Sequence, residues 1–430
     1  MNPIAILFIT FFVMIAIRVP VAYSLGLASL FVIFLEGLKP SLVVQQMFQG
    51  LNSFTLLAVP FFLLAGQLLN TGMITERLMR LSQVLVGHIR GGVAHINVVV
   101  SMIFAGMSGS STADTAGVGS VIIPSMIRNG FDRNFTAALT AASSTMGSII
   151  PPSIMMVVYG AQGGVSIGGL FLAGAIPGIL IGLSQMVYVY IYALRHDVPA
   201  EPFPTLKEAL GAIRGGFFPL LVPVIIIGGV MTGKFTATES GMVATVYVMV
   251  LMYLIYRSAK FRNLPHILSE AAVLYSQPLL AVATATVFGW LLAYYQAPQA
   301  IAGLVGGLTD SVTMTLIGIM ILFLILGTFM DAIPAIIIFL PIVSELVEQS
   351  GANGIHAGIV VIMTLALGLC TPPYGLCLLL SCSIAKIPVI KAMPQMFVFY
   401  SFFIAVILLI VFVPSIALFL PRLVMPQFVN

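Results

Sequence analysis

Apolar runs recur along this chain from Pro3 to Leu420, broken only by brief polar patches and by glycine and proline. A helix that spans a bilayer needs about 20 mostly apolar residues. A membrane strand would alternate polar and apolar positions instead, and these runs are apolar throughout. The pattern predicts spanning helices. The opening run, Asn2 to Ile17, lacks a basic start and a small-residue cleavage site, and further runs follow it directly, so it reads as a retained helix. One stretch between runs has the composition of a linker, residues 195–216. In it Thr205 precedes Glu208 at capping-box spacing, which predicts a short surface helix through Ile213 at the membrane edge.

Composition agrees. Hydrophobic residues fill 60% of the 430 positions and charged residues only 7%, against about 25% charged in soluble domains. So little polar surface cannot solvate a globule of this length, which makes lipid the solvent for much of it. The net charge of +4 is accounted for by loop lysines and arginines facing the cytoplasm and calls for no nucleic acid. Cys370, Cys377 and Cys382 share one apolar run without metal-type spacing and read as small buried hydrophobes. The five histidines are scattered, with no zinc-type spacing.

The linker falls near the midpoint, and the two sides repeat each other. Leu57-Ala58-Val59 matches Leu280-Ala281-Val282, and Gly66, Leu68 and Leu69 match Gly289, Leu291 and Leu292 at the same offset. Asp114 and Pro124 match Asp331 and Pro341, and Gly147-x-x-x-Pro151-Pro152 matches Gly368-x-x-x-Pro372-Pro373. Three blocks in one order point to an internal duplication: residues 1–194, the linker 195–216, and residues 217–430.

Duplicated transporters bind substrate where the repeats meet, on helices broken by glycine, proline or short polar residues. The first block, Asn52–Asn70 and Ser276–Tyr295, is interrupted by Pro60 and by Ala283-Thr284-Ala285-Thr286, and predicts a helical hairpin in each half; a span with a proline kink is the alternative. The second, Gly106-Met-Ser-Gly-Ser-Ser-Thr-Ala-Asp-Thr-Ala-Gly117, predicts an interrupted helix. Its glycines weaken helix, and its hydroxyls bond their own backbone. Freed carbonyls suit a hard cation, and the amides of the resuming helix suit an anion. Leu326-Gly-Thr-Phe-Met-Asp331 is the shorter counterpart. Asp114 and Asp331 are expensive at membrane depth, about 2.5–3.5 kcal/mol each on insertion scales, which marks them as functional candidates. A helix cap or a partner for a nearby hydroxyl is the structural alternative. In the third block, two prolines free carbonyls one turn earlier, and a bound ion could satisfy them. Thr371 adds a hydroxyl there, where Ile150 offers only a carbonyl.

Met107-Ser-Gly-Ser-Ser-Thr-Ala-Asp114, Gly147-Ser-Ile-Ile-Pro-Pro-Ser153, Thr236-Ala-Thr-Glu-Ser-Gly241 and Thr371-Pro-Pro-Tyr-Gly375 resemble the large membrane subunit of the tripartite ATP-independent periplasmic (TRAP) transporters, over nearly the whole chain. The resemblance implies an all-α integral membrane protein of two inverted repeats, with about eleven spanning helices and two re-entrant hairpins, working as an elevator of transport domain against scaffold. It implies sodium-coupled import of an organic acid across the bacterial inner membrane, with delivery by a soluble periplasmic binding protein. It also implies a four-helix small membrane subunit, here expected as a separate chain because this one opens on the large-subunit pattern. Carried over by position, one sodium site would use Ser108, Gly147, Ile150 and Pro152, and a second Gly327, Gly368, Thr371 and Tyr374. Ser110, Asp114 and Asp331 would lie nearest the substrate. Ala105 stands where family members carry a serine, and Ser240-Gly241 where alanines are the pattern. Sialic acid is the favoured cargo and C4-dicarboxylate the next. No arginine lies inside the repeated blocks to clamp a carboxylate; Arg128 and Arg133 sit in a polar turn between runs.

Two other readings compete: an ion-translocating subunit of a redox or pumping complex, and an intramembrane aspartyl enzyme. The first wants internal lysines paired with glutamates, and only Lys386 and Lys391 come near a run. The second wants two dedicated aspartate motifs rather than Ser-Gly-Ser-Ser interruptions. Topology leaves one question. Arg77, Arg80 and Arg90 place the mouth of the first predicted hairpin in the cytoplasm, while Arg257, Lys260 and Arg262 precede the second. An extra crossing or a surface helix between Arg262 and Ser276 would reconcile them.

Overall fold

The computed structural model describes residues 2–71, 74–196, 198, 200, 202–300 and 311–428. The described residues form helices and no strand. Three helices lead in: α1 (Pro3–Ala16), α2 (Val21–Leu35) and α3 (Ser41–Leu51). Then come α4 (Ala58–Thr71), α5 (Ile74–Val86), α6 (Gly92–Ser108), α7 (Ser111–Arg128), α8 (Arg133–Ser144), α9 (Ile154–Gly163) and α10 (Ile167–Arg195). The second half holds α11 (Leu206–Met231), α12 (Ala237–Val250), α13 (Leu264–Tyr294), α14 (Val312–Phe329), α15 (Ala332–Ser350), α16 (Gly354–Gly368), α17 (Leu376–Ala385), α18 (Val389–Phe412) and α19 (Pro414–Val424). Among the described residues seven helices are long and apolar enough to cross a membrane, and an eighth span results if α3 and α4 are counted as one bent helix. The chain is a multi-pass membrane protein.

Burial separates two kinds of helix. In α16 every residue from Ile355 to Gly368 is buried, and in α8 every residue from Phe135 to Ser144. In α11 only Gly216, Pro219, Val222 and Ile226 are buried, and apolar Phe217 and Val224 are more than half exposed. A helix apolar all round yet exposed on most of its surface has lipid as its neighbour. The exposed helices pack on one another, α11 on α5 and α12, α12 on α4, and α13 on α2, α3 and α4, while α13 also meets α15 and α5 meets α6. The buried ones interlock across the halves, α17 on α7 and α8, and α15 on α9.

The fold corrects the placement of the hairpins. Residues 276–295 lie almost wholly inside α13, a single helix of 31 residues. Its threonines satisfy themselves within the helix: Thr284 donates to the Leu280 carbonyl at 3.0 Å and Thr286 to that of Val282 at 2.8 Å. Their small side chains face Gly26 of α2 and Gly50 of α3, so Ala-Thr-Ala-Thr is a close-packing face rather than an interruption. Residues 52–70 do not fold back either. α3 and α4 meet at a 65° bend, and Pro60 falls in the first turn of α4, where its missing N–H costs nothing.

The reversals occur instead at the second block. Asn97 Nδ2 lies 3.4 Å from Met126 Sδ. Along a straight helix those positions would be about 43 Å apart at 1.5 Å per residue, so α6 and α7 run antiparallel. Phe323 and Phe339 likewise stack edge to face with ring centroids 6.4 Å apart, which folds α15 back on α14. The segments expected as interrupted helices are thus the tips of two helical hairpins.

The linker also differs. Thr205 and Glu208 form the expected capping box, the Glu208 carboxylate accepting from the Thr205 amide at 2.8 Å. The helix it starts does not end at Ile213 but continues to Met231, absorbing Gly215-Gly216 and carrying Pro219 and Pro223 inside it. Residues 197, 199 and 201 of the linker lie outside the described residues. The region between Arg262 and Ser276 holds the first turns of α13 and no separate surface helix.

Candidate functional site

Each hairpin tip is pressed against a helix break. The first tip is Gly109-Ser110. Gly109 ends α6 with φ +64°, a left-handed conformation that favours glycine, and Ser110 caps α7 by accepting from the Ala113 amide at 3.3 Å. The facing break runs from Thr145 to Ser153, between α8 and α9, and contains the cis Pro151-Pro152 bond. The Ile154 amide donates to the Gly109 carbonyl at 3.1 Å. Gly147 lies flat on the tip: a Cβ there would stand 2.9 Å from the Ser110 carbonyl carbon and the Ser111 nitrogen. The Ser111 hydroxyl donates to the Thr145 carbonyl at 3.2 Å and shares a 2.6 Å bond with the Ser148 hydroxyl. Ser153 donates to the Ser148 carbonyl at 2.6 Å and caps α9.

The second tip follows the same scheme. Met330-Asp331 joins α14 to α15, and the facing break, Leu369 to Gly375, carries the cis Pro372-Pro373 bond. The Tyr374 amide donates to the Thr328 carbonyl at 3.0 Å. Gly327 and Gly368 touch backbone to backbone; a Cβ on Gly368 would come within 2.7 Å of the Gly327 Cα. Asp331 is half-buried and caps α15, its Oδ1 accepting from the Ala332 amide at 2.7 Å. Thr371 returns its hydroxyl to the Leu367 carbonyl at 2.9 Å. Tyr400, from α18, donates to the Cys370 carbonyl at 2.6 Å and fixes the break from behind.

Each predicted cation set therefore gathers at one tip and its break: Ser108, Gly147, Ile150 and Pro152 at the first, and Gly327, Gly368, Thr371 and Tyr374 at the second. Ser108 is fully buried, and its Oγ has no hydrogen-bond partner among the described residues. Its Cβ faces Gly66 of α4, and a buried hydroxyl without a partner has the donor chemistry for a hard cation. Four helix N-termini, those of α7, α9, α15 and α17, begin at these tips and breaks and supply the positive ends an anion needs. Among the described residues no group of three His, Cys, Asp or Glu side chains could hold a metal.

The three residues expected nearest the substrate are placed differently from one another. Ser110 and Asp331 are partly accessible at the tips, whereas Asp114 is fully buried one turn into α7. The Ser144 and Ser101 hydroxyls face its carboxylate, yet neither oxygen completes a hydrogen bond among the described residues. Cys377, in the first turn of α17, lies within electrostatic range of both Asp114 and Asp331, so the second half reaches the carboxylate of the first. Two residues that hold the breaks, Ser153 and Tyr400, were not among the site residues expected from the sequence. Ser153 carried a signal, a capping hydroxyl between two prolines and an apolar run. Tyr400 carried none, since its partner lies 30 residues away.

The family profile described as "Tripartite ATP-independent periplasmic transporter, DctM component" matches residues 8–416. The sialic acid TRAP transporter large permease protein SiaM of Vibrio cholerae is 38% identical over 370 residues, covering 86% of this chain and 87% of that one. The C4-dicarboxylate TRAP transporter large permease protein DctM of Pseudomonas aeruginosa is 37% identical over 406 residues, 93% of this chain and 94% of that one. Among solved structures, MtrF of Neisseria gonorrhoeae superposes with a TM-score of 0.55 at 13% identity, over 86% of this chain and 84% of that one, a likeness of fold alone. These relatives are permeases, not enzymes. With the family profile matched over residues 8–416 and large permeases 37–38% identical over most of its length, the chain belongs to the family of TRAP transporter large permeases.

Proposed function

We propose that this permease imports an organic acid across the bacterial inner membrane by symport with sodium. The observation that carries the reading is the doubled arrangement of tip and break, each with carbonyls and hydroxyls for one cation, flanked by helix N-termini for one anion. At least two sodium ions would bind, one through Ser108, Gly147, Ile150 and Pro152 and one through Gly327, Gly368, Thr371 and Tyr374. Ser110, Asp331 and, through the buried carboxylate, Asp114 would set the anion site between them. Sodium at both tips would offset the substrate's charge and the exposed carbonyls together, which couples the two loads.

Helix–turn–helix, broken helix and long helix follow one another in both halves. This succession supports two inverted repeats, residues 1–194 and 217–430, and a count of about eleven spans with the hairpins re-entrant. The exposed helices α2, α3, α4, α11, α12 and α13 would be the scaffold, and the interlocked helices the body that moves as an elevator. The partners would be a four-helix small subunit and a periplasmic binding protein that delivers the acid. Relatives named for sialic acid and for C4-dicarboxylate stand at similar identity; sialic acid is the cargo proposed first. The ion-pump and protease readings fall with membership of a permease family.

The test is substrate counterflow in liposomes that hold this chain with its small subunit. Counterflow should require sodium and vanish in Asp331→Ala. Equal rates in sodium and in potassium would refute the reading.

A further inference from the structure

At the base of the first hairpin, away from its tip, a cavity of about 370 Å³ opens between α5, α6 and α7. Its floor is apolar: Val93 and Ile96 from α6, Val121 and Ile122 from α7. Its rim carries Glu76 and Arg80 from α5. The two stand one turn apart, where opposite charges ordinarily pair. They do not pair here: the ion pair found among the described residues is His266 with Glu270. Their neighbour Arg77 is engaged, stacked 4.0 Å over the Tyr256 ring. Tyr256 in turn donates to the Gly215 carbonyl of α11 at 2.8 Å. So α5 is held to α11 on one side and leaves an anion and a cation turned to the cavity on the other.

α5 is amphipathic. Ile74, Leu78 and Leu81 are buried, while Glu76, Arg80 and Gln83 are exposed, the pattern of a helix lying in the membrane interface. Arg77, Arg80, Arg90, Arg128 and Arg133 all belong to this end of the hairpin, against Glu76 and Asp132, and such an excess marks the cytoplasmic leaflet.

We propose that this cavity is a headgroup site for a zwitterionic phospholipid of the phosphatidylethanolamine type. Its phosphate takes Arg80, its primary ammonium takes Glu76, and its glycerol and upper acyl carbons cover the apolar floor. A phosphatidylcholine headgroup has no N–H to donate to Glu76, and phosphatidylglycerol brings no cation. A lipid seated there bridges the hairpin base to α5, and through α5 to α11.

The full-length chain, purified in detergent, tests this by native mass spectrometry with phosphatidylethanolamine, phosphatidylglycerol or phosphatidylcholine added to the micelles. Phosphatidylethanolamine should be retained about tenfold more tightly than either of the others. Glu76→Gln and Arg80→Gln should each remove that preference. Should either variant fail to give a monodisperse protein, Ser125→Trp fills the cavity from the α7 wall with both charges in place, and it should have the same effect. Equal retention of the three lipids would overturn the proposal, as would an unchanged preference in the variants. Displacement of the lipid by an equal concentration of soluble phosphoethanolamine would overturn the lipid as occupant.

Discussion

The Cα of Gly147 rests on the peptide that joins Ser110 to Ser111, with no room for a further carbon between them. The same contact recurs in the second half, where Gly368 meets Gly327. In both places a residue of the helix break fixes how far the hairpin tip can enter it. The spacing of any carbonyl cage at the tip is therefore set by two glycines that themselves donate no side chain.

Replacing either glycine should push tip and break apart. A Cβ at 2.7–2.9 Å from backbone atoms has no flexible neighbour to displace, so Gly147→Ala and Gly368→Ala should each cost about 1–3 kcal/mol of stability. Uptake should fall at least as far, because the cation donors move with the tip. Sodium titration of uptake rates is the measurement, with expression followed by fluorescence-detected gel filtration. A variant with unchanged sodium affinity would show that the close contact is only packing.

The Ser111–Ser148 pair offers a finer probe. The two hydroxyls share a 2.6 Å bond between tip and break, and the Ser111 hydroxyl also donates to the Thr145 carbonyl at 3.2 Å. A double-mutant cycle of Ser111→Ala and Ser148→Ala should give a coupling of about 0.5–1.5 kcal/mol in detergent unfolding. A coupling near zero would mean the bond is not made in solution.

Much of this site was legible in the sequence, and the reason is chemical. Paired prolines, a glycine four residues before them and clustered hydroxyls are costly inside a membrane wherever they fall. Gly147-x-x-x-Pro151-Pro152 and Gly368-x-x-x-Pro372-Pro373 therefore marked the breaks without any knowledge of their neighbours. The direction of the chain at Gly109-Ser110 was not legible. An interrupted helix and a hairpin tip use the same residues, and the contact that separates them joins Asn97 to Met126 across 29 positions. At Ala283-Thr284-Ala285-Thr286 the local signal pointed the wrong way, because a threonine that returns its hydroxyl to the helix looks in sequence like one that has left it. The end of the linker helix failed for a related reason: the capping box announces where α11 starts and is silent on where it stops.

Asp114 separates charge from structure. Its carboxylate is fully buried and faced by the Ser144 and Ser101 hydroxyls, so Asp114→Asn keeps an oxygen for those hydroxyls and leaves no ionisable group to desolvate. The variant should unfold within about 1 kcal/mol of the native chain or above it, while sodium-driven uptake is lost. A strongly destabilised Asp114→Asn protein would assign the carboxylate to holding α7 against α8 instead.

Asp331 carries two roles that one pair of substitutions can divide. Its Oδ1 caps α15 through the Ala332 amide at 2.7 Å, and its charge stands partly buried at the second tip. Asparagine caps a helix about as well as aspartate, whereas alanine forfeits about 1 kcal/mol. Asp331→Asn should therefore keep the thermal midpoint of the native chain, and Asp331→Ala should lower it. If the charge serves transport, both variants lose counterflow equally despite their different stabilities. If Asp331→Asn transports at the native rate, the cap is the whole contribution of this side chain, and the anion site must draw on Ser110, Asp114 and the backbone of the tips instead.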